Sequence, residues 1–385
     1  MKIVVPIERR VAERRVAATP ETVKKFKGMG FDVAIESGAG LNSRYTDAMY
    51  VEAGASIVED TAALYQDAGI VLKVQRPLLA GEGDVDELAL IPEGALLISV
   101  LSPYNAPESL QKYADAKVTA MALEFVPRIT RAQSMDVLSS QSNLAGYRAV
   151  LDAAFEYDRG MPMMMTAAGT VAPARVMVLG AGVAGLQAIA TAKRLGAVVS
   201  ATDVRPAAKE QVESLGGKFV MVESDEVKEA ETAGGYAKEM SDDFKRKQAE
   251  LVSETIKKQD IVITTALIPG RKAPILVTED NVKSMREGSV IVDLAVEQGG
   301  NCELSKPGEV VEAHGVSIVG HLNVPSRLSA DASALYAKNL FNYISLMVKE
   351  GESLEVEVPW DDEIITASTL TRDGQVVHPA FTENN

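Results

Sequence analysis

Short apolar runs alternate with amphipathic stretches along the first 130 residues, and this rhythm predicts strands and helices in turn. The predicted strands are residues 2–6, 31–36, 70–74, 95–101 and 117–125. A helix is predicted to begin at Pro20, because Thr19 is a good N-cap residue and proline is favoured at the first helical position. Strands that alternate with helices are typical of an open, mostly parallel sheet.

A second series of the same kind follows a polar loop at residues 127–142 and a long predicted helix at 143–158. It begins at Val176, and its further strands are predicted at residues 198–202, 218–222, 261–265, 290–294 and 316–319. A long amphipathic helix at 329–349 could return the chain to the first domain. The tail, 360–385, is polar and is expected to extend over the surface, and the methionine-rich run 161–165 is expected to pack rather than bind metal.

A glycine-rich segment, GAGVAG at residues 180–185, carries the strongest local signal for chemistry. In this pattern Gly180 allows a tight turn, Gly182 lets the backbone approach a pyrophosphate, and Gly185 permits close packing of helix on strand. A structural turn could share the pattern, but the preceding strand and following apolar helix favour a dinucleotide site. The chain is therefore predicted to be α/β, with two Rossmann-like domains of mostly parallel strands linked by long helices. The predicted limits are 1–138 plus 328–385 for the first domain and 139–327 for the second.

Asp203 ends the strand after the glycine segment and lies 18 residues beyond Gly185. A carboxylate at this position hydrogen-bonds the adenosine ribose and repels a 2′-phosphate, so it favours NAD(H) over NADP(H). Arg205 leaves the other choice open, because an arginine close to this position can accept a 2′-phosphate.

Two polar segments interrupt the alternation of predicted strands and helices. Residues 223–243 hold eight acidic residues and two lysines around Gly234, Gly235 and Tyr236. A solvated insertion fits this composition, and so does a mobile lid with a paired-glycine hinge.

The loop RITRAQSMD at residues 128–136 is dense in hydrogen-bonding groups. It could be an interdomain linker or could line a cleft between two domains, where dinucleotides bind.

Composition narrows the function classes. The 385 residues carry 39 Lys and Arg against 54 Asp and Glu, a net charge of -15, which disfavours nucleic acid or an anionic membrane surface as the main partner. One cysteine and three histidines make a metal centre implausible, so none is predicted. With no secretory signal and no apolar run as long as a membrane span, the chain alone is expected to be soluble and cytoplasmic.

Several motifs resemble the alanine dehydrogenase and proton-translocating transhydrogenase family. They are MKIVVPIERRVAERRVAATPETV, LKVQRP, VLGAGVAGLQAIATAKRLGA, TTALIPGRKAP and VIVDLAVEQGGN, and together they cover nearly the whole chain. The segments RITRAQSMDVLSSQSNLAGYRAV and EVPWDDEI favour the transhydrogenase branch.

This resemblance implies an NAD(H)-binding subunit that exchanges hydride with NADP(H) held on a partner subunit. It also implies a homodimer, docking of both nucleotide-binding subunits on a membrane-spanning partner that carries the protons, and no membrane insertion of this chain. The location would be cytoplasmic and peripheral on a bacterial membrane.

The resemblance assigns the orientation of the nicotinamide, as the catalytic role, to Arg128, Gln133, Asp136 and Ser139. It places Tyr236 and Met240 on a lid that closes over nucleotide. The further cofactor contacts that it implies are Val137, Leu138, Gly180, Gly182, Val183, Ala184, Gly185, Asp203, Val204, Arg205, Gly235, Gln248, Ala266 and Leu267.

The family's alanine dehydrogenases carry a lysine and a histidine where local alignment gives Gln75 and Ser102, while a carboxylate-binding arginine is kept as Arg15. Losing the first two removes groups that could polarise a keto acid and move its proton. Hydride exchange between two nicotinamides needs no proton at the reacting carbons, so positioning can suffice. An alanine dehydrogenase-like amino-acid dehydrogenase and a non-catalytic NAD-binding regulatory module are the alternatives.

Overall fold

The computed structural model of the chain describes residues 1–223, 241–268, 270–349 and 354–382. The chain divides into two compact units, one formed by Met1–Gln141 with Ser326–Asn385 and the other by Ser142–Pro325. The domain limits expected from the sequence stay a prediction. Within the described ranges, no helix combines the length and the apolar character that a membrane crossing requires.

A six-stranded parallel sheet forms the centre of the first unit, in the order β3-β2-β1-β4-β5-β6. Its strands are β1 (Lys2–Val5), β2 (Asp32–Glu36), β3 (Ser56–Val58), β4 (Ala68–Gln75), β5 (Leu96–Val100) and β6 (Thr119–Ala122). Ile3 and Val5 join one apolar cluster and Val4 another, as the two-residue period of a strand requires. Both faces of the sheet are therefore buried, which confirms the predicted parallel α/β architecture.

Helices connect or follow these strands. They are α1 (Pro20–Gly28), α2 (Asp47–Glu52), α3 (Thr61–Tyr65), α4 (Glu108–Asp115) and α5 (Val137–Glu156). Thr19 caps α1 through its hydroxyl, as predicted. The predicted loop 127–142 is shorter than expected, because residues Thr130–Met135 form a 3-10 turn and α5 already begins at Val137.

The second unit is built on a seven-stranded sheet in the order β11-β10-β9-β12-β13-β15-β14. Its strands are β9 (Arg175–Leu179), β10 (Val198–Thr202), β11 (Lys218–Phe219), β12 (Ile261–Thr264), β13 (Ser289–Asp293), β14 (Val310–Ala313) and β15 (Val316–Val319), and a separate hairpin precedes them as β7 (Met164–Thr166) and β8 (Gly169–Val171). The edge strand β14 is antiparallel to β15. The chain runs from β9 outward to β11 and then returns to β12 on the other side of β9, which creates a switch point at the carboxyl ends of β9 and β12.

Besides most of α5, four α-helices of this unit lie in the described residues: α6 (Val183–Arg194), α7 (Ala208–Ser214), α8 (Asp242–Ile256) and α9 (Glu279–Ser284). The hairpin corrects the expectation for the methionine run. Met161 is buried, but Met163, Met164 and Met165 are 59, 43 and 75% exposed. Every residue of β7 and β8 is exposed, so this short hairpin leaves the apolar side chains of both its faces at the surface.

The chain returns to the first unit through α10 (Ser329–Ser345) and then forms α11 (Glu363–Ser368), β16 (Thr371–Arg372), β17 (Gln375–Val376) and α12 (Pro379–Thr382). The expectation of a polar surface tail is wrong for much of this segment, because Ile364, Ile365 and Leu370 are fully buried. Leu370 donates its N–H to the carbonyl of Ala120 in β6, which fixes the tail along the edge of the sheet. The remaining 3-10 turns are Leu41–Ser43, Leu88–Leu90, Leu123–Phe125, Val296–Gln298 and Val324–Leu328.

Candidate functional site

The glycine segment forms the turn between β9 and α6. Gly180 has a φ of +106°, and a Cβ there would lie 2.5 Å from the Thr265 hydroxyl. A Cβ on Gly185 would lie 1.8 Å from the carbonyl oxygen of Gly180. These two glycines are therefore required by the close approach of helix and strand.

Gly182 has a different environment. It is the N-cap residue of α6, and a Cβ placed on it would meet nothing within 4 Å. The backbone is thus open at the point where the helix presents its unpaired N–H groups, which suits an anionic pyrophosphate. Apolar side chains are exposed at the start of α6 and after β10 and β12: Val183, Val204 and Leu267 are 42, 79 and 55% exposed. Such side chains suit the flat adenosine half of a dinucleotide.

Asp203 follows β10 directly and reaches into the glycine turn. Its Oδ2 accepts the N–H of Ala181 at 2.7 Å, and its side chain is only 7% exposed. Arg205 binds the same carboxylate with its side chain and its backbone N–H. Burial alone would raise the pKa of Asp203, but the hydrogen bonds from Arg205 and Ala181 outweigh it and lower that pKa. The carboxylate is consequently held ionised beside the turn.

Gln248 lies on α8 and connects that helix to the ends of β10 and β11. Its amide donates to the Thr202 hydroxyl at 3.0 Å and to the Val220 carbonyl at 3.2 Å, and its oxygen accepts the N–H of Val222 at 2.8 Å. This placement brings Gln248 next to the residue that precedes Asp203. The hydrogen bonds give Gln248 a local structural role in addition to the predicted nucleotide contact.

The backbone of Ala266 is held by a residue that the sequence reasoning missed. Asn301 is fully buried, accepts the Ala266 N–H at 3.0 Å and donates to the Ala266 carbonyl at 2.9 Å. Asp293, at the end of β13, accepts the N–H of Asn301 at 2.9 Å and the hydroxyl of Ser305 at 2.6 Å. A buried Asp293–Asn301 network therefore positions Ala266 and Leu267, two of the residues that are predicted to contact the nucleotide.

A glycine on α5 supports the same turn from behind. A Cβ on Gly146 would lie 2.0 Å from the carbonyl oxygen of Ala184 and 2.9 Å from its Cα. The backbones of α5 and of the first turn of α6 are thus in contact at a distance that only glycine permits. The sequence carried a signal for this contact, since a glycine inside a helical pattern often marks close packing.

The loop RITRAQSMD lies in the first unit. Arg128 and Gln133 are exposed, whereas Asp136 and Ser139 bind each other at the start of α5. Asp136 accepts the Ser139 N–H at 2.8 Å and its hydroxyl at 2.5 Å, so Asp136 acts as an N-cap. This capping role accounts for two of the four predicted catalytic residues structurally, without assigning them any chemistry.

Two further predicted contacts lie in the first turn of α5. Val137 is buried in the core, with 1% of its surface exposed. Leu138 is 42% exposed.

Asn339 of α10 holds this loop and was not predicted. Its side chain is largely buried, its amide donates to the Ser134 carbonyl at 2.8 Å, and its oxygen accepts the Ser140 hydroxyl at 2.8 Å. Asn342, one turn further along α10, donates to the same carbonyl at 3.1 Å. The loop is therefore fixed at its last turn, while Arg128 and Gln133 remain accessible.

The positions that correspond to an amino-acid dehydrogenase site lie at the carboxyl ends of β4 and β5. Gln75 donates its amide to Glu13 at 2.7 Å, and Arg15 binds Glu13 and the Gln141 side chain at 2.6 to 2.8 Å. Ser102 donates its N–H to Glu124 at 2.5 Å and has a φ of +49°. Arg15 is thus paired within the protein.

Glu8 and Glu124 are buried acids in this region. Burial raises the pKa of each carboxyl to about 7, although Lys73 opposes the rise at Glu8 and backbone N–H groups oppose it at Glu124. Glu8 accepts the N–H of Val74 at 2.6 Å, and Glu124 accepts the N–H of Leu101 at 2.9 Å. Both carboxyls therefore anchor the ends of strands.

Glu297, which lies in the second unit just before Gly299 and Gly300, accepts the N–H of Asn323 at 2.9 Å. Gly235, Tyr236 and Met240, with most of the proposed lid, lie outside the described residues.

Comparison with known proteins gives two family matches. Residues 4–145 match "Alanine dehydrogenase/PNT, N-terminal domain", and residues 149–379 match "Alanine dehydrogenase/PNT, C-terminal domain". The chain is 58% identical, over 99% of both chains, to a protein of Rhodospirillum rubrum that is named as the first portion of the NAD(P) transhydrogenase alpha subunit.

Solved structures agree with these matches. A transhydrogenase from Sinorhizobium meliloti has a TM-score of 0.88 and 53% identity over 98% of this chain and 100% of its own. An L-alanine dehydrogenase has a TM-score of 0.81 and 27% identity over 100% of this chain and 98% of its own. The similarity extends across both units and is greater to the transhydrogenases.

Proposed function

The chain belongs to the alanine dehydrogenase/PNT family, and we propose that it is the NAD(H)-binding subunit of a proton-translocating transhydrogenase. In this function it exchanges hydride between its own NAD(H) and NADP(H) on a partner subunit. The observation that carries the proposal is the Asp203 carboxylate beside the open glycine turn, where Oδ2 lies 2.7 Å from the Ala181 nitrogen. An acid at this position suits the ribose of NAD(H).

Different residues of the second unit would bind different parts of the dinucleotide. The helix N-terminus at Gly182 would receive the pyrophosphate, Asp203 the adenosine ribose, and Val204 with Leu267 the apolar surface of the adenosine half. The nucleotide supplies the hydride, so the protein has to bind and orient the nucleotide and to exclude water from the site. Gly235, Tyr236 and Met240 would contribute the lid.

The exposed side chains of the loop RITRAQSMD would orient the nicotinamide. Arg128 and Gln133 are accessible on a loop whose last turn is fixed by Asn339. A loop that is supported in this way holds its exposed side chains in a constant position. Asp136 and Ser139 would keep the first turn of α5 in register and present its polar groups to the ring.

Exposed apolar side chains support the proposed partners. Phe155 is 85% exposed at the end of α5, and Met165 of the β7–β8 hairpin is 75% exposed. A second copy of the chain that covered these side chains would remove their apolar surface from water, so it is the proposed occupant, giving a homodimer. Attachment to the cytoplasmic side of a bacterial membrane would come through the partner subunits.

The alternative, an amino-acid dehydrogenase, is favoured by the fold similarity and by Arg15. It is weakened by Gln75, whose amide cannot replace an ammonium group, and by Ser102, which has no ring nitrogen to move a proton. Arg15 would also have to exchange Glu13 for a substrate carboxylate.

The experiment mixes the purified chain with the NADP(H)-binding subunit of a related transhydrogenase and follows NADPH formation from NADH and NADP+. The proposal expects turnover in the mixture and none in either protein alone. NADH oxidation by the chain alone, dependent on pyruvate and ammonia, would replace the proposal with the alternative.

A further inference from the structure

The Asp203 carboxylate has four hydrogen-bond donors, and three of them come from one residue. Oδ1 accepts the backbone N–H of Arg205 at 2.9 Å and its Nε at 2.8 Å. Oδ2 accepts Nη2 of Arg205 at 3.0 Å and the N–H of Ala181 at 2.7 Å. A carboxylate offers about four acceptor positions, so those of Asp203 are filled.

The two partners differ in how freely they can move. The Asp203 side chain is 7% exposed and is fixed by Ala181, whereas the Arg205 side chain is 50% exposed. Arg205 also donates to the Ala181 carbonyl at 3.3 Å, so its guanidinium lies across the rim of the glycine turn. A ribose diol that binds Asp203 has to displace the two guanidinium bonds, because the two backbone N–H groups cannot leave.

The guanidinium is in a position to meet a nucleotide phosphate. Its bonds to Asp203 put a positive group beside the atom that would receive the adenosine 2′-hydroxyl. A guanidinium binds phosphate through two parallel hydrogen bonds, and it does so when no nearer anion holds it.

From this geometry we infer that Arg205 is a latent receptor for a 2′-phosphate and that Asp203 keeps it inactive. Asp203 then excludes NADP(H) in two ways, since it repels the phosphate and also neutralises the arginine that would bind it. The inference rests on the proposed NAD(H) site and adds to it the residue that decides between the two dinucleotides.

The test is a double-mutant cycle with Asp203→Asn, Arg205→Ala and the double variant. Dissociation constants for NADH and NADPH are measured by calorimetry, with 5′-AMP and 2′,5′-ADP as probes of the adenosine half alone. Asp203→Asn is expected to bind NADPH about tenfold more tightly than the wild-type chain, because Arg205 loses its counter-ion. The double variant is expected to lose this gain, and 2′,5′-ADP should follow NADPH while 5′-AMP should not.

A matched pair at the amino ends of two strands of the same sheet provides the control. Asp260 precedes β12, accepts the Arg175 N–H at 2.8 Å and lies 3.5 Å from Nη1 of Arg286. Its side chain and that of Arg286 are 13 and 60% exposed, similar to the pair under test. Asp260→Asn and Arg286→Ala should leave both dissociation constants unchanged.

Every outcome decides the inference. An equal gain in NADPH affinity in the single and double variants would mean that repulsion alone excludes NADPH, and would overturn the role of Arg205. No gain in a folded Asp203→Asn chain would overturn it too, with Asp203→Ala as the second variant and thermal unfolding as the check of folding. Failure of the wild-type chain to bind NADH would contradict the proposed function separately, because the comparison of NADPH between the variants does not depend on it.

Discussion

The side-chain amide of Asn339 lies 2.8 Å from the carbonyl oxygen of Ser134, although the two residues are 205 positions apart in the sequence. This hydrogen bond ties α10 to the last turn of the loop that carries Arg128 and Gln133. Asn339 also accepts the Ser140 hydroxyl, so one buried side chain fixes the loop and the start of α5 together. Positioning of the loop therefore depends on a residue outside it.

Replacing Asn339 with alanine should slow hydride transfer about tenfold and leave the dissociation constant of NADH nearly unchanged. Lost hydrogen bonds to a buried group cost about 1–3 kcal/mol, and here the loss falls on loop position. Single-turnover kinetics with the NADP(H)-binding subunit measures the rate, and calorimetry measures NADH binding. Asn342→Ala is the control, because it removes the second and longer bond to the same carbonyl. If Asn339→Ala and Asn342→Ala changed the rate and the NADH dissociation constant equally, a positioning role of Asn339 would be contradicted.

Shortening Gln133 by one methylene group, in Gln133→Asn, should lower hydride transfer about tenfold to a hundredfold and lower NADH affinity much less. The expected cause is a displaced amide on an otherwise intact loop. The same two measurements separate the effects, with Gln111→Asn as the control on α4, where the amide donates to Asp115 at 2.8 Å. A large loss of affinity with an unchanged rate would contradict this role of Gln133.

A methyl group at position 146 should disturb the glycine turn indirectly. The added Cβ in Gly146→Ala would lie 2.0 Å from the Ala184 carbonyl, so α5 and α6 have to separate. Overpacking of this kind costs about 1–3 kcal/mol of stability, and NADH affinity should fall with it.

The control for Gly146 is Gly28→Ala at the end of α1, where a Cβ would meet nothing within 4 Å. That variant should be as stable as the wild type or more so, by up to about 1 kcal/mol. Chemical denaturation and calorimetry measure both variants, and an unchanged Gly146→Ala chain would show that the helices can shift without cost.

Glu8 should make the first unit less stable at alkaline pH. Burial raises the pKa of its carboxyl from 4.5 to about 7 in the folded chain, so the folded chain binds more protons than the unfolded chain between these values. The contribution of Glu8 to the free energy of unfolding is therefore complete below its ordinary pKa and is lost as the pH rises through about 7. A shift of this size corresponds to about 3 kcal/mol at most.

Glu8→Gln should flatten the decline in the free energy of unfolding between about pH 5 and about pH 8. Glu124, whose pKa burial also raises to about 7, would leave some of the slope. Glu13 acts outside this window, because Arg15 and other hydrogen-bond donors overcome its burial and lower its pKa to about 2. Denaturation at several pH values tests the prediction with Glu93→Gln, a 72% exposed glutamate, as the control. An identical slope in wild type and Glu8→Gln would contradict it.

Local patterns were enough to predict the two series of parallel strands, the capped start of α1 and the turn at Gly180. Each of these depends on residues close in sequence: a period of two, a capping residue, or glycines at fixed spacing. The position of Asp203 beside the turn was predictable for the same reason, since it follows the glycines at the expected distance, and its contact with a ribose stays a prediction.

The features that could not be predicted from the sequence have a different physical origin. Asn301, Asn339 and the burial of Ile364 depend on partners that are distant in sequence, and composition gives no sign of them. The N-cap role of Asp136 was missed because the polar loop concealed a helix start. The short hairpin at Met164 was missed because its strands are three residues long and bury little.

The most direct test of the proposed function uses NADH that carries deuterium at the transferred position, mixed with this chain, the NADP(H)-binding subunit and NADP+. The proposed function predicts NADPH that has received the deuterium from NADH without exchange with solvent, because hydride passes directly between the two rings. NADPH without deuterium, or no NADPH when both subunits bind their nucleotides, would contradict direct hydride transfer by this chain.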